Sequence, residues 1–530
     1  MADVHVEIER KYDVGETFVL PGLAGVPGVT SVDEPVEHVL EAAYYDTADL
    51  RLGRARVTLR RRTGGTDAGW HVKLPGVAGA RRELHSPLGR AARTPPKAVL
   101  APVVGIVRSA APTQVALLRT RRIVTELRDV DGRVLAEVAN DHVTGTAFPA
   151  EPGEAAVVTS WREVEVELVS GDDDLLAAVG AALVAAGAEP SRSPSKLTRV
   201  LGNRLAVAAP ADPPAAAAVS GQPEKKGGGK KARRRRKEAL AALTAGDVLR
   251  AALVAQTRSL QDADVMVRSD QPDGVHQLRV ACRRLRSVLA AFRPVLDRES
   301  VEPVRAELQW IGAQLAGSRD AEVAVAHLRE LVAGQPPELV LGPVAARMQQ
   351  EDLRDGLAGG DAARRTLASP RYLSALDTLA ELAADPPLTE RATEPAVPVV
   401  AEVLTHTGRR LRHLVEAADD ADDPAALHDV RKAAKRLRYN AEVAEPVLGA
   451  PVTGLITTLK EAQQVLGDRQ DTFLTREVCT RLGSQAFTAG ENAWTYGRLH
   501  ALEEARCAQA EREFWLRWPA VRQALPLRPA

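Results

Sequence analysis

The sequence predicts a multidomain chain: an antiparallel, strand-rich α+β part over 1–205, a linker over 206–238 and an all-α duplicated helical bundle over 239–525. Three observations carry that division. Charged and apolar residues alternate with a period of two through the first part, as along a strand whose side chains leave on opposite faces. Apolar residues recur at three- and four-residue spacing through the last part, the period of a helix. Between them an Ala/Pro stretch runs into Gly227-Gly228-Gly229, Lys230-Lys231 and the basic run 233–237, the composition of a flexible, extended spacer.

At 530 residues the chain exceeds one ordinary core. Its apolar (45%) and charged (26%) fractions are those of a soluble globular protein. Net charge is zero, but the basic residues are clustered, so a polyanion partner stays open. Cys282, Cys479 and Cys507 are too far apart for a zinc site or a disulfide framework, which points to a reducing cytoplasm. The N-terminus is charged where a signal peptide is apolar, and the longest apolar run, 175–188, is too short to span a bilayer. No membrane partner is expected.

The strand elements open at Glu7-Ile8-Glu9-Arg10-Lys11, where Glu7, Glu9 and Lys11 share one face and Ile8, Arg10 and Tyr12 the other. Two carboxylates and an ammonium on one face can hold a hard metal ion beside a phosphate. Further on, Arg60 and Arg62 share a face, Lys73 is flanked by Trp70 and Leu74, and Arg82 precedes Glu83. Arg119 and Arg121 take one face and Arg122 the other; Glu137 and Asp141 share a face, as do Glu163, Glu165 and Glu167. Turn residues such as Gly64-Gly65 and Asp131-Gly132 separate the runs, and one helix is expected over 172–187. Charged faces this dense either front water on a one-sided sheet or line a closed barrel.

These residues carry a resemblance. Glu7, Glu9 and Lys11, then Tyr44-Tyr45-Asp46-Thr47, Leu59-Arg60-Arg61-Arg62, Trp70-His71-Val72-Lys73-Leu74, Arg82-Glu83, Asp141, Glu163-Val164-Glu165-Val166-Glu167-Leu168 and Ser195-Lys196 follow in the order of a CYTH domain. The chain over 1–205 thus resembles the triphosphate tunnel metalloenzymes. The resemblance implies an antiparallel eight-stranded β tunnel that cleaves a terminal phosphoanhydride with Mg2+ or Mn2+. It implies Glu7, Glu9, Asp141, Glu163, Glu165 and Glu167 as metal ligands and Lys11, Arg60, Arg62, Lys73, Arg82, Arg121 and Lys196 as phosphate contacts. Arg121 is preferred over Arg122 because it shares a face with Arg119. Lys11 and Glu9 are the expected catalytic pair.

The helical part repeats itself. Val275-His276-Gln277-Leu278-Arg279 is answered by Leu427-His428-Asp429-Val430-Arg431, and Arg283-Arg284-Leu285-Arg286 by Lys435-Arg436-Leu437-Arg438 at the same offset. A duplicated bundle with pseudo-twofold symmetry follows. At about 100° per residue, His276, Arg279, Arg283 and Arg286 fall within an arc of about 80°. His428, Arg431, Lys435 and Arg438 repeat the arrangement, while Leu278, Leu285 and Leu289 can face the core. Such stripes are either solvated faces or one continuous basic surface. Basic neighbours are wrong for a metal, and without flanking aromatics a bare phosphate chain fits better than single-stranded or specific nucleic acid. With Ser318-Arg319-Asp320 and Leu466-Gly467-Asp468 these pieces, over about 245–515, resemble a CHAD domain. That resemblance implies inorganic polyphosphate as the partner of the eight stripe residues.

The expectation is a cytoplasmic protein, associated with polyphosphate granules, that hydrolyses inorganic triphosphate in its tunnel and binds polyphosphate through its helices. The alternatives are a thiamine triphosphatase or a nucleotide cyclase, and a non-catalytic polyphosphate adaptor.

Overall fold

In the computed structural model the chain packs as two units, 1–211 and 212–530. The structure describes residues 3–65, 67–75, 81–89, 94–151, 153–208, 238–240, 242–420 and 425–526. The side chains of 3–7, 81, 203, 206–208, 317–323, 352 and 355–359 are outside that description. Of the expected linker, 206–208 end a helix and 209–237 lie outside the described residues.

Among the described residues the first unit is one antiparallel sheet of eleven strands: β1 (Asp3–Glu7), β2 (Glu9–Val14), β3 (Ser31–Val32), β4 (Val36–Asp46), β5 (Thr58–Thr63), β6 (Gly69–Pro75), β7 (Arg81–Ser86), β8 (Thr113–Arg128), β9 (Val134–Ala147), β10 (Val157–Leu168) and β11 (Glu189–Pro190). Their order is β1-β7-β6-β5-β4-β8-β9-β10-β2-β11, with β3 beside β8. β1 and β2 are separated by Ile8 alone, so they are halves of one strand. The first half pairs with β7, Glu7 opposite Arg81; the second pairs with β10, Lys11 opposite Glu165. The Leu168 amide donates to the Ile8 carbonyl at 3.0 Å and bridges the break. The sheet therefore closes into the expected eight-stranded barrel, with β3 and β11 as short additions.

Closure gives every strand a lumen face and an outer face. Three short turns of helix, α1 (Arg51–Arg54), α2 (Lys97–Leu100) and α3 (Val104–Val107), lie between strands. The expected helix over 172–187 is α4 (Asp173–Ala185), whose N-cap Asp172 accepts from the Leu175 amide at 2.9 Å. It buries Leu175, Leu176, Val179 and Leu183 against Tyr12, Leu127, Val138, Val164 and Val166 on the outer face. The last helix of the unit, α5 (Lys196–Ala208), packs Leu197 and Leu201 against Tyr44, Leu118, Val143 and Trp161 at one end of the barrel. Asp46 of the Tyr-Tyr-Asp-Thr run is architectural. Its buried carboxylate accepts from the amides of Thr47 (2.7 Å), Leu52 (2.9 Å) and Gly53 (2.8 Å) and fastens the β4–β5 connection.

The second unit is helical: α6 (Ala245–Arg268), α7 (Gly274–Ala291), α8 (Arg298–Gln314), α9 (Gly317–Ala333), α10 (Val344–Ala368), α11 (Pro370–Ala384), α12 (Ala396–Asp420), α13 (Ala426–Leu448), α14 (Ala450–Thr488) and α15 (Trp494–Ala524). The duplication is visible in the helix starts. Ala245, Gly274, Arg298 and Val344 precede Ala396, Ala426, Ala450 and Trp494 by 151, 152, 152 and 150 residues. A large core joins both copies and contains Leu278, Leu285 and Leu289, as their spacing predicts. A second core packs α9 and α10 on the far halves of α14 and α15. All three cysteines are free and buried, Cys282 in the first core and Cys479 in the second.

Gly180 of α4 faces Tyr12: a Cβ there would lie 2.1 Å from the phenolic oxygen. Gly180→Ala is expected to destabilise the first unit by about 1–3 kcal/mol through overpacking, read as a lower midpoint in thermal unfolding with the helical transition unmoved.

Candidate active site and polyanion-binding face

The barrel encloses a cavity of about 600 Å³. Alternation along the strands sends Arg60, Arg62 and Lys73 into it from β5 and β6, and Glu9, Lys11, Glu165 and Glu167 from β2 and β10; Lys196 enters from the start of α5. The expected residues Lys11, Arg60, Arg62, Lys73, Lys196, Glu9, Glu165 and Glu167 thus meet in one lumen. Lys11 donates to Glu9 at 2.8 Å and pairs with Glu165. Burial works against its charge and Lys196 repels it, but Glu165 and Glu9 outweigh both, so Lys11 holds its proton above the ordinary lysine range. Glu83, bonded to His71 at 2.7 Å, orients Arg60 (3.2 Å) and Lys73 (3.4 Å), while Asp67 pairs with Arg62. Burial alone would raise the Tyr44 phenol; Arg60, with Arg62 and Lys196, draws it below its ordinary value.

Two expectations fail. Arg121 is on the outer face, bound to Glu37 at 2.7 Å, and Arg119 is beside it on Glu41. The lumen position belongs to Arg122, which donates to both oxygens of Asp141 (2.9 and 2.7 Å) and to Glu165 (2.5 Å). Arg82 alternates with Glu83 on β7, opposite Leu74 rather than Lys73, and does not line the cavity. Glu7 ends β1, and its side chain is outside the described residues.

The carboxylates form two groups. Asp141, Glu163 and Glu165 offer oxygens within 4.8 Å of one another. The Lys196 ammonium lies among them, at 2.9, 2.6 and 2.7 Å. Burial opposes that charge, yet the three carboxylates hold Lys196 protonated. With Arg122 beside it, this group is already neutralised. In the second group, Glu9, Glu167 and Glu137 face one another across β2, β10 and β9 and line the cavity. Burial, then Glu9 and Glu137 against the opposing Lys73, raise the Glu167 carboxyl. Like charges directly opposite on neighbouring strands repel, and a divalent ion with oxygen ligands relieves that repulsion. Among the described residues the three carboxylates close enough to share one ion are Asp141, Glu163 and Glu165, with Lys196 among them; Glu9, Glu167 and Glu137 are candidate ligands by their opposition across the strands.

In the helical unit α7 and α13 pack together and bring Arg283 to Arg431, Lys435 and Arg438. Burial first, then those three guanidiniums, push the Lys435 ammonium down to about 7, against Asp471. His428 bonds Gln470 at 2.6 Å, and Arg438 donates to Gln463 at 2.9 Å. His276 and Arg279 are half-buried on α7. Arg286 departs from the stripe: it donates to Gln309 at 2.8 Å and feels Arg305 and Arg436. The side chains of Ser318, Arg319 and Asp320 are outside the description.

Two family models match the sequence, a CYTH domain over 5–200 and a CHAD domain over 251–480. Two uncharacterized proteins of Mycobacterium tuberculosis, MT2285 (strain CDC 1551 / Oshkosh) and Rv2226 (strain ATCC 25618 / H37Rv), are each 34% identical over 534 residues, 96% of this chain and 94% of theirs. The chain belongs to the CYTH–CHAD family. Among solved structures it is similar to PptA from Streptomyces chartreusis (23% identity, TM-score 0.44, 52% of this chain and 99% of that one). It is also similar to the CHAD domain from the plant Ricinus communis (23%, 0.44, 55% and 94%). A third is the Hippeastrum protein HpAC1, described as a putative adenylyl cyclase with a dominant triphosphatase activity (17%, 0.23, 37% and 96%). Among the described residues no helix is long and apolar enough to cross a membrane.

Sequence reasoning overlooked several lumen residues of the CYTH domain. Glu126 and Arg128 share the parity of Arg122 on β8, so alternation alone marks them; it also puts Glu137 on the face of Asp141, but gives it no role. In the CHAD domain Leu466 to Asp471 loosely echoes Leu315 to Asp320, but nothing in that repeat gives Asp471 its place beside Arg431 and Lys435.

The two neighbouring arginines of β8 should behave oppositely. Arg122→Ala leaves Asp141 and Glu165 short of a buried partner and is expected to cost about 3–5 kcal/mol. Arg121→Ala breaks only an exposed pair and should leave the unfolding midpoint unchanged. Chemical denaturation of the two variants checks this.

Proposed function

We propose that the CYTH domain hydrolyses inorganic triphosphate with Mg2+ or Mn2+ and that the CHAD domain binds inorganic polyphosphate. The observation that carries the first half is one cavity with two walls. Arg60, Arg62 and Lys73 stand on β5 and β6, and Glu9, Glu167 and Glu137 on β2, β10 and β9. Phosphoryl transfer requires charge neutralisation and in-line alignment more than covalent help. A bound divalent ion polarises a phosphoryl oxygen and acidifies water. Arg60 and Lys73, aimed by Glu83, and Arg62, held by Asp67, take the phosphate oxygens. Lys11, which keeps its proton, and Glu9 orient the attacking water. Attack on the terminal phosphorus breaks the bridging P–O bond and yields orthophosphate and diphosphate. Tyr44 is the one Phe, Tyr or Trp among the described lining residues, and it is engaged with Arg60. Among the described lining residues the remaining aromatic ring is His38, a poor stacking wall for a base or thiazole ring, which favours the inorganic substrate over thiamine triphosphate or a nucleotide.

Glu9→Gln and excess chelator should each reduce phosphate release from triphosphate by about a hundredfold or more, with circular dichroism unchanged. Full activity in chelator would overturn metal-dependent hydrolysis.

For the CHAD domain the support is the Arg283, Arg431, Lys435 and Arg438 cluster. Arg279→Ala/Arg283→Ala/Arg431→Ala/Lys435→Ala should remove most polyphosphate affinity and flatten its salt dependence. Lys435 adds a pH signature. Its folded pKa of about 7 lies below the ordinary lysine value of about 10.4. The folded state therefore binds fewer protons than the unfolded one between those values, and Lys435 contributes a stability gain as pH rises from about 7 to about 10. A polyanion reverses this by favouring the ammonium. Polyphosphate binding at pH 8 should take up a proton, measured by calorimetry in buffers of different ionisation enthalpy, and Lys435→Met should abolish the uptake.

A further inference from the structure

The lumen has two unlike ends. On β8 the lining residues Leu118, Thr120, Arg122, Val124, Glu126 and Arg128 alternate along the length of the cavity, about 33 Å of strand at about 3.3 Å per residue. At the Leu118 end α5 packs Leu197 and Leu201 into an apolar core that closes the barrel. The cationic wall stands towards this end: Arg62 is opposite Ala42, and Ala42 is opposite Leu118. At the other end the described lining includes Asp33, Glu34, Glu126 and Arg128, with Glu126 opposite Glu137 on β9. Asp33 is half-buried and Glu34 is exposed. Among the described residues Arg128 is the cation there, and it is committed: it donates to Asp33 at 2.8 Å, to the Gly132 carbonyl at 2.7 Å, and pairs with Glu126.

A phosphate chain held by Arg60, Arg62 and Lys73 can be extended only towards this end, because the α5 end is filled. Each added phosphate then approaches Asp33, Glu34 and Glu126. We infer that these three carboxylates form an acidic rim that limits the tunnel to short phosphate chains and excludes the end of a long polymer. The inference rests on the reading of the CYTH domain as a triphosphatase and goes beyond it. The polyphosphate held by the CHAD domain is not the substrate of the CYTH domain; the two domains act on different chain lengths. The physical basis is like-charge juxtaposition, which discriminates between ligands more strongly than it changes the affinity of the accepted one.

The test uses the full-length protein with Mn2+ and compares kcat/KM for triphosphate, tetraphosphate and long-chain polyphosphate. Wild type should disfavour tetraphosphate by about tenfold or more. Asp33→Asn/Glu34→Gln should narrow that ratio by about tenfold and allow release of phosphate from long chains, with triphosphate turnover within about twofold of wild type. The single variant Glu34→Gln, which leaves both carboxylate partners of Arg128 in place, should give part of the effect in a fold that is undisturbed. Higher salt should narrow the wild-type ratio, since the rim is open to solvent. Triphosphate turnover with the same chain-length ratio in wild type and both variants would overturn the rim while leaving the hydrolase reading intact. Wild-type turnover of long chains as fast as triphosphate would do the same. No triphosphate turnover at all would overturn the hydrolase reading, and the rim with it.

Discussion

The structure of the CYTH domain depends on one strand serving two partners. β1 and β2 are a single run interrupted at Ile8, and their pairings with β7 and β10 join the two ends of the sheet. Once the sheet is closed, side chains on one face reach bulk water only through the open end of the lumen, and the alternation of charge along every strand becomes an alternation between lumen and exterior. A slip of one residue at the closing strand would exchange Glu9 and Lys11 for Ile8 and Arg10. The α4 core on the outer face, with Tyr12 fitted against Gly180, opposes such a slip. Packing on the outside thus fixes chemistry on the inside.

A lumen that gathers this many ions is stable only if they compensate one another. Lys196 and Arg122 serve Asp141, Glu163 and Glu165; Glu83 and Asp67 serve Arg60, Lys73 and Arg62. The Glu9, Glu167 and Glu137 group is compensated less completely. On the proposed reading, that asymmetry separates carboxylates that organise the barrel from carboxylates left for a metal ion, although all are acidic in the sequence.

Much of this was legible from spacing. The parity of Glu163, Glu165 and Glu167, of Arg60 and Arg62, and of Glu9 and Lys11 put each set on one face, and the structure places those faces in the lumen. Parity does not say which face turns inward, and that is why Arg121 was preferred over Arg122. Both parities of 119–122 are basic, and the choice is made by distant partners: Asp141 and Glu165 inside, Glu37 and Glu41 outside. Arg82 stands beside Glu83 in the same way, and register with β6 separates them. The helical repeat was legible in its motifs and again in its helix starts. The departure of Arg286 was not, because Gln309 and Arg305 come from α8, where no motif marked them. Nor does the sequence show that α14 runs unbroken where the first copy is divided into α8 and α9 at Leu315-Ala316.

The three buried cysteines give the helical domain a built-in set of probes. Burial pushes the Cys282 and Cys479 thiols up to about 12, so neither is a thiolate or accessible to reagent in the folded chain. Cys282 belongs to the core shared by both copies of the repeat, Cys479 to the core formed with α9 and α10. The barrel has no cysteine at all. With Cys507 replaced by Ser, the order in which the two thiols become reactive under denaturant therefore reports which core opens first, with no label added and no signal from the tunnel.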